Sequence, residues 1–331
     1  MLSQADLSKL NKNDPVDHFL IVRNIEIKTA RNGSNYLNLE IGDRSLSVNS
    51  NIWDNFDSIY RNFKVGDIVK IKGSMDEYRG VPQINISSIK STGDSDNISF
   101  SDFLPKSKRD PEIMKKEFFN RIEKISELNL KSLMKMIFAE ENFNKFSISP
   151  AGKSWHHAYV HGLIEHTLEI IRICDLMCDL HSEINRDLLI SGAMMHDFGK
   201  TEELSIDASF NYTDKGKLLG HIVISAMLIN ETINKLPTFP EELKNNLLHI
   251  VLSHQGKLEF ASPVVPKTLE AITLYQADEL SAKVNAYKNA LSSEIKGDNK
   301  WTRFITLAST DLYRHNLTSN IESTPGKTLF D

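Results

Sequence analysis

The chain is poor in cysteine, with two in 331 residues. Cys174 and Cys178 stand four apart, on one helix face. So few thiols exclude a disulfide framework, and small core residues in a reducing cytoplasm are the expectation. Long uncharged apolar runs are also missing, so no membrane helix is expected. Met1-Leu2-Ser3-Gln4-Ala5-Asp6 lacks the basic-then-apolar pattern of a signal segment. Positive charge is not in excess either: the formal net charge is −5. That excludes a protein basic enough to coat nucleic acid over its whole surface. Metals and local lysines can still hold a phosphate backbone. What is present is an ordinary globular balance, 40% hydrophobic and 25% charged residues. The length is one that two domains usually share.

The first part reads as β. His18-Phe19-Leu20-Ile21-Val22 opens a strand that continues through Ile25 and Ile27. Arg31-Asn32-Gly33-Ser34 turns the chain into Tyr36-Leu37-Asn38-Leu39-Glu40-Ile41, which alternates with period two. Ser45 to Val48, Ile68 to Gly73 and Val81 to Ile86 supply three further strands, with a helix-like piece from Ile52 to Phe63. Five strands with a helix between the third and fourth is the order of an OB-fold barrel, which binds single strands. Residues 1–14 form an extension, 15–90 the barrel, and 91–109 a linker rich in Ser, Gly, Asp and Asn. From Asp110-Pro111 the period becomes helical, with Asp110 as cap and Pro111 in the first turn. Helices are expected through residue 318. Breaks are expected at Ser149 to Gly152, Phe198-Gly199, Asp214 to Gly216, Pro237 to Pro240 and Gln255 to Pro266. Residues 319–331 read as a polar tail.

In that helical part, polar residues interrupt apolar stripes at six places. His166 lies in Leu163-Ile164-Glu165-His166-Thr167-Leu168, and His196-Asp197 ends an apolar stretch through Met194-Met195. His221 follows Leu218-Leu219-Gly220, His254 ends Ile250-Val251-Leu252-Ser253, and Asp278 sits in Tyr275-Gln276-Ala277-Asp278. Each alone reads as a core histidine or a helix end. Together they would bury polar groups on the apolar faces of several helices, and such groups need partners. Imidazole and carboxylate are ligands of divalent transition metals, so a shared metal centre supplies those partners at once.

The order His…His-Asp…His…His…Asp resembles the HD superfamily of metal-dependent phosphohydrolases. Two longer segments narrow the resemblance. Trp155 to Leu168 is similar to the HHAYxGGLLEHTL signature of the YhaM-type 3′→5′ exoribonucleases, and His254 to Pro263 to their HHGxLExGSP segment. Three positions depart from these patterns: His161 and Ala261 stand where they have Gly, and Gln255 where a second His is common.

The resemblance implies an all-helical HD domain behind an OB-fold barrel. It also implies 3′→5′ hydrolysis of single-stranded RNA to nucleoside 5′-monophosphates, with single-stranded DNA left open. Two divalent ions are implied, manganese being the family's usual one, although a His/Asp site also accepts iron, cobalt or zinc. His166, His196, Asp197 and Asp278 would hold one ion; Asp197, His221 and His254 would hold the other. Asp197 and Lys200 would be catalytic, Lys200 as a point charge on a phosphate oxygen. His156, His157 and Lys257 would meet substrate near the cut. Tyr36, Tyr78 and Arg79, with Arg31 and Lys72, would grip the strand from the barrel. Lys106, Lys108, Arg109, Lys115 and Lys116 form a basic cluster at the junction. A homo-oligomer stays open. The alternatives are an HD enzyme for a nucleotide or cyclic dinucleotide, and a non-catalytic single-strand-binding protein. A strand-gripping barrel counts against the first. The second predicts lost ligands, and all six positions are filled.

Overall fold

The computed structural model describes residues 4–30, 32–78, 80–93, 96, 98, 100–206, 210–293 and 299–315. The chain forms two compact units, Met1–Ala282 and Lys283–Asp331. The first carries the barrel and the helices of the site. In the second, Trp301 pairs with Tyr313 and Ile305 with Thr310 as isolated bridges. The polar tail lies outside the described residues.

The barrel is built from β1 (Pro15–Thr29), β2 (Asn35–Gly42), β3 (Ser47–Ile52), β4 (Ile68–Tyr78) and β5 (Val81–Ser91). It closes in the order β1-β2-β3-β5-β4. Closure leaves no open sheet edge. All neighbours run antiparallel except β3 and β5, which meet at Asn49 and Gln83 in parallel. Alternation along β2 sends Leu37, Leu39 and Ile41 inward, fully buried, and leaves Tyr36 and Glu40 half-buried on the other face. Leu20, Val22, Leu39, Ile41, Val69 and Ile71 fill the interior.

The helix α1 spans only Asp57–Asn62, and β3 keeps Ile52. The expected helical piece from Ile52 to Phe63 is therefore too long at its start. Ile52 pairs with Leu37 on β2 and its side chain packs against the barrel core. Pairing and burial here outweigh a weak local helical pattern.

Helices α2 (Pro111–Lys124), α3 (Leu128–Ile137) and α4 (Glu140–Ile148) begin the second half. The Asp110 side chain accepts from the N–H groups of Glu112 and Ile113, so the expected cap forms. Helices α5 (Gly162–Leu180), α6 (Arg186–Met195), α7 (Lys200–Glu203), α8 (Asp214–Ile233), α9 (Glu241–Ser253) and α10 (Leu269–Ser293) follow. Leu163, Leu168, Ile171, Leu189, Ile250 and Leu274 join one continuous core, and Cys174 is buried in it. Both cysteines are free thiols, as expected of core residues.

Three features depart from the helices expected through residue 318, the first being residues 299–315, which hold isolated bridges and no helix. A hairpin of β6 (Leu204–Ile206) and β7 (Phe210–Tyr212) follows α7. Three residues per strand are too few to show a period in the sequence. Asp214 to Gly216 is no break but the first turn of α8, capped by Thr213, whose side chain accepts from the Gly216 N–H. The break in α8 comes at Gly220, with φ 72° and ψ 152°. Among the described residues, no helix is long and apolar enough to cross a membrane.

Candidate metal centre

Five segments deliver the six expected ligands to one place. His166 faces inward from α5. His196 ends α6 and Asp197 follows it. His221 sits just after the break in α8, His254 ends α9, and Asp278 projects from α10. His166, His196 and His254 are fully buried, and Asp197 is 1% exposed. Their donor atoms form three overlapping triads, each within 4.8 Å: His166, His196 and Asp197; His196, His254 and Asp278; Asp197, His221 and His254.

Helix ends and close packing make this convergence possible. The His196 Nδ1–H donates to the Ala193 carbonyl at 2.8 Å, and the His254 Nδ1–H to the Val251 carbonyl at 2.6 Å. Carbonyls in a last helical turn lack intrahelical partners, so each helix end anchors its own ring. Gly199 packs against the backbone of His221, where a Cβ would collide with the carbonyl. The Ser225 hydroxyl ties the two segments, accepting from the Gly199 N–H at 2.8 Å and donating to the His196 carbonyl at 3.1 Å.

The tautomers follow from these partners. Ser281 donates its hydroxyl proton to Glu169 at 2.8 Å, so it accepts from His166 Nδ1 at 3.0 Å. His221 Nδ1 donates to the Glu203 carboxylate at 3.0 Å. All four rings thus carry the proton on Nδ1 and aim an Nε2 lone pair at a carboxylate. Nε2 of His196 lies 3.3 Å and that of His166 3.8 Å from Asp197 Oδ2. Nε2 of His221 and of His254 lie 3.3 Å and 3.6 Å from Oδ1. His166 Nε2 is 3.0 Å from Asp278 Oδ1. The Nε2 atoms of His196 and His221 and Asp197 Oδ1 are buried without a hydrogen-bond partner, while Oδ2 meets the Lys200 ammonium at 2.6 Å. Lone pairs facing carboxylate oxygens at these distances repel unless a cation lies between them. The donor set therefore fits a divalent transition metal.

The electrostatics agree at Asp197, His166 and His254 and differ at His196. Burial would raise the Asp197 carboxyl, but the Lys200 charge and the surrounding histidines hold it well below the usual carboxylate range. Burial lowers His166 and His254, keeping them in the neutral form that metals take. Burial opposes the charged form of His196 too, yet the Asp197 charge outweighs it and raises that imidazole.

The other expected residues are placed differently. Lys200 is 7% exposed and lies inside the site, its Nζ 2.6 Å from Asp197 Oδ2. His156 packs its ring 5.1 Å from that of His166, and both of its nitrogens are buried without a partner. His157 is fully buried, and its Nε2 meets Glu169 at 3.1 Å, behind Ser281 and His166. Lys257 is exposed beside Glu259 and over the Phe260 ring. Gln255 places its amide 3.4 Å from His254 Nε2. His161 caps α5 and donates from Nδ1 to the Ser147 carbonyl at 2.7 Å, away from the ligand set. On the barrel, Tyr78 is 61% exposed and Tyr36 stacks on Trp53 at 4.6 Å. Arg79 and Arg31 lie outside the described residues. Lys72 pairs with Asp17, Lys106 with Asp102, and Arg109 with Glu117, so these cations are partly neutralised.

Sequence reasoning missed Glu203, Glu169 and Ser281, which orient ligands, and Trp53. Nothing in the local pattern of the first three marks them, because each acts across a tertiary contact.

The HD domain family matches residues 163–283, a span that includes all six expected ligand positions. The family of OB-fold nucleic acid binding domains matches residues 21–92. Over 285 residues the chain is 33% identical to the 3′-5′ exoribonuclease YhaM of Listeria monocytogenes serotype 4b (strain CLIP80459), covering 86% of this chain and 90% of that protein. It is 30% identical over 301 residues to the protein of the same name from Bacillus subtilis (strain 168), covering 91% and 95%. The Geobacillus sp. (strain WCH70) protein of that name is 32% identical, covering 91% of this chain and 92% of its own length.

Proposed function

This chain belongs to the family of the 3′-5′ exoribonuclease YhaM, and from that premise we propose that it is a metal-dependent enzyme degrading single-stranded RNA from the 3′ end to nucleoside 5′-monophosphates. The observation that carries this reading is the ring of four Nε2 lone pairs around Asp197. It divides into two sides. Oδ2 of Asp197 faces His166 and His196, with Asp278 beside them, and Oδ1 faces His221 and His254. Such a division suits two ions sharing Asp197, with manganese as the expected metal. Bound there, two divalent ions lower the pKa of an attacking water and neutralise charge on the phosphate oxygens.

The chain's own residues would do the rest. Asp197 sets the spacing of the two sides. Lys200 brings a fixed positive charge beside it, where a non-bridging phosphate oxygen would lie. His156, with two unpartnered buried nitrogens, would bond the terminal phosphate or ribose. His157 and Glu169 brace His166 through Ser281. Tyr36 and Trp53 on the barrel offer stacking surface for bases upstream of the cut, with Asn38, Asn51 and Lys28 hydrogen-bonded nearby.

The test is a 5′-labelled single-stranded RNA incubated with the protein, with and without manganese, beside a DNA strand of equal length. The expected result is a ladder of one-nucleotide steps on RNA that needs the metal and vanishes in EDTA. Asp197→Asn should give no ladder. An Asp197→Asn protein that cuts at the wild-type rate would falsify the reading. So would intact RNA in a preparation that turns over free nucleotides, or one that binds the strand without cutting it.

A further inference from the structure

We propose that Glu203 is a positioning residue of the metal centre: it locks His221 in the Nδ1–H tautomer and aims its Nε2 at Asp197. This rests on the metal-dependent reading above. It goes further by assigning the control of one side of the site to a carboxylate outside the ligand set.

Three of the four histidine ligands have no freedom to turn. His166, His196 and His254 are fully buried, so packing fixes their rings. His221 is different: its side chain is 17% exposed, and Gly220 has broken the helix just before it. Beside that break, the His221 backbone N–H turns to a side chain. Glu203 takes up both loose ends. Its Oε1 accepts from the His221 backbone N–H at 3.0 Å and from Nδ1–H at 3.0 Å, and its Oε2 lies 3.1 Å from the same Nδ1. The ring is left with one orientation, Nε2 toward Asp197 Oδ1 at 3.3 Å.

Glu203 is itself held. Its carbonyl accepts from the Thr213 N–H at 2.9 Å. Gly216, in the first turn of α8, lies so close to the Glu203 backbone that a Cβ there would collide with it. The carboxylate is 8% exposed and ends α7, three residues after Lys200. Its chemistry also sets it apart. The other three rings donate to the carbonyls of Ala193 and Val251 and to the hydroxyl of Ser281. Only His221 donates to a carboxylate, and a carboxylate makes the opposite nitrogen a stronger donor to a metal.

The experiment compares metal-free wild type, Glu203→Gln and Glu203→Ala. Manganese binding is measured by calorimetry, and the tautomer of His221 by long-range proton–nitrogen NMR on histidine-labelled protein. In wild type, His221 should carry its proton on Nδ1. In Glu203→Ala that preference should be lost, and one class of manganese site should weaken about ten- to hundredfold while the other is retained. Glu203→Gln can still accept from Nδ1–H but has no charge, so it should keep the tautomer and weaken the same sites by a smaller factor. If Glu203→Ala does not fold, the Gln variant carries the test. Equal manganese affinity in every variant that folds overturns the proposal, as does an Nδ1–H tautomer that persists in Glu203→Ala. Wild-type protein that binds no divalent ion would instead overturn the metal-centre reading itself.

Discussion

Each histidine of the centre is oriented by what lies behind its Nδ1, and His156 is the exception that tests the rule. Four rings have an oxygen behind and a carboxylate ahead. His156 has neither, although both of its nitrogens are buried. Burial, and then the nearby Lys200 charge, hold it well below the ordinary imidazole value, so it faces the site as a neutral ring. An orphaned buried polar group costs about 1–3 kcal/mol, a cost the fold alone gives no reason to keep. A substrate oxygen would supply the missing partner. His156→Phe keeps a ring against His166 and removes both nitrogens. It should leave manganese binding unchanged and the melting temperature equal or higher. Single-turnover cleavage of RNA at saturating metal should fall by about a hundredfold, the loss typical of one donor to developing charge. Cleavage at the wild-type rate would remove His156 from the site.

Among the elements, the two places where the chain departs from its family's glycines have a common cause. His161 has φ 68° and Ala261 has φ 66°, both in the left-handed region. A side chain is strained there by roughly 1–2 kcal/mol, and glycine is not. His161 offsets part of that strain with its bond to Ser147, which ties the start of α5 to the end of α4. Ala261 has no side chain with which to do so. Ala261→Gly should therefore stabilise the protein by about 0.5–1 kcal/mol, after the entropy of the freer unfolded chain is subtracted. Denaturant melts in EDTA would measure it, and a destabilised variant would sink the argument. The same elements mark how far the sequence could be read. Period and stop signals located α5, α6, α9 and α10 and set the six expected ligands on or at the ends of helices, because apolar stripes and breaking residues are local signals, but they put a break at Asp214 to Gly216, inside α8. The hairpin after α7 was too brief to carry a period, and α1 was legible except at its start. Glu203 was invisible for another reason: its partner is 18 residues away and meets it only because Gly220 bends α8. Trp53 falls inside the expected helical piece, since nothing local shows that β3 runs on to Ile52 and leaves the indole beside Tyr36.

For the molecule as a whole, a net charge of −5 limits how it can hold a polyanion. A long phosphate track would need many unpaired cations, and Lys72, Lys106 and Arg109 are each engaged by an acid. Affinity must then come from local contacts that do not depend on net charge, and base stacking is one. Trp53 is 51% exposed and lies at 4.6 Å from Tyr36 with 28° between the rings. It follows Ile52, which pairs with Leu37, so it continues the ladder opposite Tyr36 on the outer face of β2 and β3. One stacked base is worth about 1–3 kcal/mol, or roughly 5- to 150-fold in binding. Among the described residues, the barrel contributes none of the groups around Asp197, and the expectation is that its grip is the same in the ground and transition states. Interactions of that kind change KM and leave kcat alone. Trp53→Ala should accordingly raise KM for a long RNA by several-fold or more, with kcat unchanged. If Trp53 acts only on bases upstream of the cut, a dinucleotide should be hydrolysed by both proteins with the same kcat/KM. Added salt should weaken RNA binding only modestly, because few counterions are released. A Trp53→Ala protein that loses kcat on the dinucleotide would mean that the barrel acts on the metal site itself, and the separation of grip from chemistry would fall.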